Sequence, residues 1–229
     1  MIKYPKEWSN IEDHLSQKTD LTVVTMDYKS VEYQEIANLF RQTMPTAVIK
    51  GIQRVQNSRL WKIFNHQADY VIKKMNEEQD ISQKNLQLDD VTRLLFHGTS
   101  QTDPKMIYES EEGFDMRFSN EGMWGRANYF AVKSAYSNNY CYKTSIKMTL
   151  PNSTQEQTIE RRKMFLARVL VGQTIALASD KTLKMPPLLP GETTKRYDSV
   201  KGFTNGSDVY MVYSNKNCYP NYLITYSLV

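Results

Sequence analysis

From residue 91 onward the chain repeats one pattern: a short apolar run, then a turn rich in glycine, asparagine, aspartate or proline. The runs occupy residues 93–96, 128–132, 164–171, 209–213 and 223–226. Runs this short match strands, whereas a stable helix needs several turns of continuous periodicity. A chain with many short strands must pair them into sheet, and its few helical stretches must cover that sheet. The expected fold class is therefore mixed α+β with substantial sheet.

The helices are expected ahead of these strands. Leu21-Thr-Val-Val-Thr is rich in β-branched residues and reads as a strand. Ser30 can cap a helix from Val31 to about Met44, with Ile36, Leu39 and Phe40 at helical spacing, and Pro45 stops it. Residues 47–55 alternate as a strand does. Asn57 or Ser58 caps a second helix, with Leu60, Trp61, Phe64, Ala68, Val71, Ile72 and Met75 on one broad face. Residues 76–90 read as a polar loop and residues 143–163 as a long polar surface loop around Pro151. Met185-Pro-Pro-Leu-Leu-Pro-Gly reads as a stiff extended connection.

Composition narrows the function classes. The 229 residues suit one large domain or two small ones. A net charge of +4 with interspersed signs is too small and scattered for a nucleic-acid footprint. Two cysteines, Cys141 and Cys218, provide neither a disulfide framework nor a zinc site, so a reducing, intracellular compartment is expected. No apolar run reads as a signal peptide or a membrane span. Asn152-Ser-Thr and Asn205-Gly-Ser match a glycosylation pattern that means nothing in such a compartment. His14 and His66 read as surface or partly buried histidines, Arg161-Arg-Lys as a solvated charge run, and Cys141 as an unreactive structural thiol. Asp198-Ser199 reads as a loop tie made by side-chain hydrogen bonds.

Two stretches carry chemistry. In Leu94-Leu-Phe-His97-Gly98-Thr99-Ser a buried strand ends on a histidine and a glycine, and a glycine there lets a flat amide approach the backbone. His97 could donate to a ribose hydroxyl, assisted by Thr99. In Gly122-Met-Trp124-Gly-Arg-Ala127-Asn-Tyr129-Phe-Ala a turn delivers a strand bearing Tyr129, followed by Ser137 and Tyr140. Three apart on a helix, those two would share one face and suit a planar carboxamide ring. Tyrosine is frequent, at 15 residues, although packing accounts for most of them.

Phe96-His-Gly-Thr-Ser, Tyr129-Phe-Ala, Ser137-Asn-Asn-Tyr140, Tyr197-Asp-Ser-Val and Tyr219-Pro-Asn-Tyr-Leu-Ile-Thr-Tyr together resemble the catalytic domain of the poly(ADP-ribose) polymerase family, in the family's order and at similar spacing. Tyr4-Pro-Lys-Glu-Trp, Glu32-Tyr, Val48-Ile-Lys and residues 52–61 resemble the macrodomain-carrying members that transfer single units. Gly113-Phe-Asp-Met-Arg and Gly122-Met-Trp-Gly look more like the tankyrase branch. The resemblance implies an ADP-ribosyltransferase fold, with two packed antiparallel-rich sheets flanked by helices. It also implies one catalytic domain over 1–229, comprising an amino-terminal portion (1–90) and an NAD-binding core (91–229), without the helical regulatory domain of the DNA-dependent members. NAD⁺ is the implied substrate, with no metal. His97 would bind the adenosine ribose, Gly98 and Ser137 the nicotinamide amide, and Tyr140 or its rival Tyr142 the ring. Tyr129 would cover the nicotinamide ribose. Residues 115–124, with Arg117 and Trp124, would lie over the adenine and phosphate end, and Thr99 completes the NAD-binding set.

The family's signature is a histidine, a tyrosine and a glutamate on three strands, and here the glutamate position falls on Val209. Asp208 is adjacent, but neighbours on a strand face opposite ways, so only a bulge or a slip of register would bring it in. Ala127 replaces a usual glycine, which is costly if that position needs positive φ. A site without the glutamate is expected to move single ADP-ribose units to protein side chains, acidic ones above all and the enzyme's own included. Such a domain is expected to be a monomer of the cytoplasm or nucleus. Two alternatives are a pseudoenzyme that binds NAD⁺ or ADP-ribose without turnover, and an interaction module.

Overall fold

The computed structural model describes residues 3–9, 11–16, 18–77, 85–149 and 156–228. Among them run ten strands: β1 (Leu21–Thr25), β2 (Val48–Asn57), β3 (Thr92–His97), β4 (Asn128–Ala131), β5 (Tyr142–Thr149), β6 (Glu156–Leu170), β7 (Thr174–Ala176), β8 (Ser199–Thr204), β9 (Ser207–Val212) and β10 (Cys218–Ser227). The helices are α1 (Ile11–Leu15), α2 (Val31–Arg41), α3 (Ser58–Asn76), α4 (Leu88–Val91), α5 (Pro104–Tyr108) and α6 (Ser134–Asn138). The expected α+β class is observed.

The strands join in the order β1-β2-β10-β6-β3-β4-β9-β8-β7, with β5 also paired to β6. Only β7 and β8, among these pairs, run parallel. The two sheets foreseen from the resemblance are halves of this one path. They meet where β3 and β4 share a single ladder pair, Phe96 with Ala131.

Burial explains the layering. In β6, Met164, Phe165, Leu166, Ala167, Val169 and Leu170 are all fully buried, as a central strand covered on both faces requires. One cover is α2, whose Ser30 cap accepts from the Tyr33 amide at 3.2 Å; Ile36, Ala37 and Phe40 pack against Phe96, Ile224 and Tyr226. The helix ends three residues before Met44, because a residue preceding proline avoids the helical region. The other cover is α3, capped by Asn57, which accepts from the Leu60 amide at 3.0 Å. Its Leu60, Trp61, Phe64, Ala68 and Val71 pack on Leu170 and Tyr219. Lys74 of α3 pairs with Asp198, which also accepts from the Gln173 amide at 2.9 Å, so Asp198 is the loop tie the sequence suggested.

Two readings change. Of residues 143–163, those described form a strand pair rather than a long loop, with β5 meeting β6 from Tyr142–Lys163 to Thr149–Glu156. Most side chains of that ribbon are exposed, so the hydrophobic alternation that marks a half-buried strand is missing. Pro151 and Asn152 lie outside the described residues, as do residues 78–84 of the polar stretch 76–90. His14 is fully buried, its ring 5.3 Å from that of Trp8. Finally, Asn205 and Gly206 both have positive φ, 46° and 75°, and form the two-residue turn between β8 and β9.

Tyr219 on β10 is fully buried and locks the start of α3 to the sheet. Its hydroxyl donates to the Val55 carbonyl and accepts from the Asn57 amide, both at 2.9 Å. Tyr219→Phe leaves a buried carbonyl and amide without partners. The expected loss is about 1–3 kcal/mol of stability. It should be read as a lower urea midpoint at unchanged m-value, and an unchanged midpoint would contradict the lock.

Candidate active site

His97 ends β3 beside the seam between the two half-sheets. Its Nδ1 lies 2.7 Å from the Tyr129 carbonyl oxygen. A carbonyl can only accept, so Nδ1 carries the hydrogen. The ring is packed between Phe114 and Phe130, with centroids 5.0 and 5.1 Å away. This desolvation lowers the imidazole pKa from its usual 6.5, and the bond to Tyr129 only partly opposes it. A neutral ring with hydrogen on Nδ1 has a bare Nε2, so toward a ribose hydroxyl it accepts. That reverses the donor role expected from sequence.

Gly98 follows, and its missing side chain is structural. A Cβ there would stand 2.4 Å from the Tyr140 carbonyl carbon and oxygen and 2.6 Å from the Ser137 carbonyl oxygen. The end of β3 therefore lies directly against the turn 137–140. The Ser100 amide donates to the Tyr140 carbonyl at 2.6 Å and fixes that approach. On the other side, the Ser134 hydroxyl donates to the Phe40 carbonyl at 2.6 Å, fastening α6 to α2. Ser137 is buried in the last turn of α6, whereas Tyr140 lies beyond the helix and is half-exposed. The two meet through a turn, the Tyr140 amide donating to the Ser137 carbonyl at 3.0 Å, and not through a shared helical face. Between the rival tyrosines, Tyr140 has its ring 5.6 Å from that of Tyr136. Tyr142 instead lines an open depression of about 430 Å³ with Ser100, Gln101, Asn139, Cys141 and Lys143.

Tyr129 on β4 is clamped. Its hydroxyl accepts from the Trp124 amide at 2.9 Å and donates to the Gly125 carbonyl at 2.7 Å. Burial pushes its pKa up to about 12, so it stays protonated. Gly122 makes room for the ring, since a Cβ there would be 2.5 Å from Tyr129 Cζ. Trp124 is buried and its indole N–H donates to the Leu177 carbonyl at 3.1 Å; its ring occupies the space left by Gly202. The structure thus places Trp124 behind Tyr129, as packing. Ala127 is fully buried and is not among the described residues with positive φ, so alanine meets no backbone penalty there.

Val209 on β9 is 1% exposed and pairs with Ala131 and Gly202. It packs among Trp124, Ala127, Ala131, Val200 and Met211, bordered by Tyr129, Tyr136 and Tyr213. Asp208 faces the other way and pairs with Lys201 at 3.0 Å. Arg117 is directed at its own loop. It grips Asp115 with contacts of 2.7–3.0 Å, and those bonds hold the Asp115 carboxyl below the usual range. The Thr99 hydroxyl is spent on the Thr102 carbonyl at 2.6 Å. So His97, Gly98, Tyr129, Ser137, Tyr140 and Val209 gather around α6 and the sheet seam with Trp124 packed behind them, while Arg117 and Thr99 bond within their own loops and Tyr142 faces the neighbouring depression.

Two residues of this wall escaped the sequence reading. Tyr213 donates to the Trp124 carbonyl at 2.7 Å, and Tyr136 contacts Tyr140. Their only signal in sequence was spacing: Tyr136 is four residues before Tyr140, and Tyr213 lies on the face of Val209 and Met211.

A seam of this kind, with a histidine, a bare glycine and a wall of tyrosines on a largely antiparallel sheet, is that of an ADP-ribosyltransferase fold. The chain belongs to the poly(ADP-ribose) polymerase catalytic-domain family, whose sequence pattern matches residues 30–205. It is 35% identical over 225 residues to a probable poly [ADP-ribose] polymerase of Dictyostelium discoideum, covering 97% of this chain and 57% of that protein. It is 31% identical over 234 residues to human protein mono-ADP-ribosyltransferase PARP11, covering 98% of this chain and 64% of that protein. With human protein mono-ADP-ribosyltransferase PARP14 the identity is 26% over 228 residues, 98% of this chain and 11% of that protein. The chain thus spans about three fifths of the length of the first two relatives.

The His97 environment predicts a pH response. Its folded pKa lies below the unfolded value of 6.5, so the unfolded chain binds more protons just below that pH. The stabilisation from neutral His97 should be complete above pH 6.5 and be lost as pH falls through the lowered folded value. An imidazole titration followed by NMR should give a midpoint under 6.5. A midpoint at or above it would contradict the desolvated, Nδ1-protonated ring.

Proposed function

We propose that this domain cleaves NAD⁺ and transfers a single ADP-ribose unit to protein side chains, acidic ones first and its own included, with residues 1–229 acting as one catalytic unit. The observation that carries the reading is Val209: a buried hydrocarbon on the wall, with the neighbouring carboxylate turned away onto Lys201. The mono-ADP-ribosyltransferase names of two relatives support it. Gly98 and Ser137 would hold the nicotinamide amide and Tyr140 would stack on the ring. Tyr129 would close the ribose side, and Nε2 of His97 would accept from an adenosine-ribose hydroxyl. Two buried free thiols fit a reducing compartment, cytoplasm or nucleus.

Charge balance explains why a valine suffices. The bond between the ribose anomeric carbon and the pyridinium nitrogen breaks, and its electron pair leaves with nicotinamide, which departs neutral. No general acid is needed. The sugar passes through a state with oxocarbenium character, and a carboxylate acceptor supplies both the negative charge and the new C–O bond. An ester forms and no proton is released. A ribose hydroxyl as acceptor would release a proton and need a base beside it, and Val209 is none. The first transfer can proceed and chain growth cannot.

Incubation with labelled NAD⁺ tests this. Label should join protein as one discrete species that hydroxylamine removes, and His97→Ala should slow transfer by roughly 10²-fold. Polymer ladders would contradict single-unit transfer, and hydroxylamine-stable label would contradict carboxylate acceptors. Binding of NAD⁺ without transfer would establish the pseudoenzyme.

A further inference from the structure

The hydroxyl of Tyr129 has no hydrogen left for a substrate, since it donates to Gly125 and accepts from Trp124. Tyr213 is spent in the same way on the Trp124 carbonyl. Tyr136 differs. It lies in α6, directly before Ser137, whose carbonyl abuts Gly98. Its ring packs on the cluster that holds Val209 and stands 5.6 Å from the Tyr140 ring. Both Tyr140 and Tyr129 lie within electrostatic reach of its hydroxyl. Tyr140 is 45% exposed and Tyr136 is partly exposed, so this pair of rings lies at the edge of the core.

We propose that the Tyr136 hydroxyl hydrogen-bonds the nicotinamide ribose of NAD⁺, making at the wall the polar contact that Val209 cannot make. The inference rests on the proposed NAD⁺ site. If the carboxamide sits between Gly98 and Ser137, the sugar attached to that ring lies next along the wall, beside Tyr136 and Val209. A phenol suits the role because it both donates and accepts. Burial, then the contact with Tyr140, raises its pKa, so it stays protonated and is a poor base. It would orient the sugar without activating the sugar's hydroxyl, which is the division of labour single-unit transfer needs.

The test is calorimetric titration of wild type and Tyr136→Phe with NAD⁺ and with 3-aminobenzamide, a ligand that has the carboxamide and ring but no sugar. Phenylalanine keeps the ring packing. NAD⁺ affinity should fall about five-fold, and 3-aminobenzamide affinity should stay within about two-fold. Unchanged NAD⁺ affinity would overturn the proposal, and so would a parallel loss for both ligands, which signals packing alone. Should the variant fail to fold, wild type can be titrated with NAD⁺ deoxygenated on the nicotinamide ribose. A loss of about five-fold supports the contact and equal affinity overturns it. A wild type that binds NAD⁺ but transfers no label sinks the proposed activity and leaves the Tyr136 comparison readable. A wild type that does not bind NAD⁺ sinks both.

Discussion

The hydrogen bond from His97 Nδ1 to the Tyr129 carbonyl crosses the seam where the two halves of the sheet meet. There β3 and β4 share one ladder pair, so the imidazole acts as an additional rung. Three consequences follow from that bond. It fixes the tautomer, so Nε2 is an acceptor. It sets the spacing between the end of β3, which bears Gly98, and the strand that bears Tyr129. And because Phe114 and Phe130 flank the ring, the bond works in a setting of lower dielectric than water, where it is stronger. The proposed cleft lies where ordinary backbone pairing runs out, and a side chain holds its two banks together.

A second constraint decides the chemistry available in that cleft. The Asn205-Gly206 turn has both residues at positive φ, the geometry of a tight hairpin that pins the register of β8 on β9. With Thr204 opposite Ser207, Gly202 falls opposite Val209 and Phe203 opposite Asp208. A slip of one residue would exchange the two faces and bring the aspartate into the wall. The turn therefore selects which side chain the cleft sees. The acid that remains is neutralised by Lys201 on the far face.

Much of this was legible in sequence where one face of an element is buried and the other is not. The caps Ser30 and Asn57, the apolar face of α3 and the opposed directions of Val209 and Asp208 all follow from periodicity and short-range chemistry. The β5–β6 ribbon was missed because its side chains are mostly exposed and so carry no alternation. Trp124 was placed over the adenine and phosphate end through the family resemblance. Its burial depends on Gly202, 78 residues away in sequence, which local reading cannot pair with it. Arg117 was placed over the adenine and phosphate end through the family resemblance, and here Asp115, two residues earlier, holds it. Tyr140 was placed on a helix that ends two residues short of it.

The surroundings of position 209 make the valine more than a missing acid. Its neighbours Ala127, Ala131, Val200 and Met211 are hydrocarbon and sulfur, each at most 1% exposed. Tyr129, Tyr136 and Tyr213 border it, and burial has raised the pKa of all three. A carboxylate introduced there would be desolvated, and desolvation raises a carboxyl pKa. Desolvation of that kind works against the charge an acid needs to draw a proton from a hydroxyl acceptor. On the proposed function, the limit to single-unit transfer lies in the whole wall around position 209 and not in the valine alone.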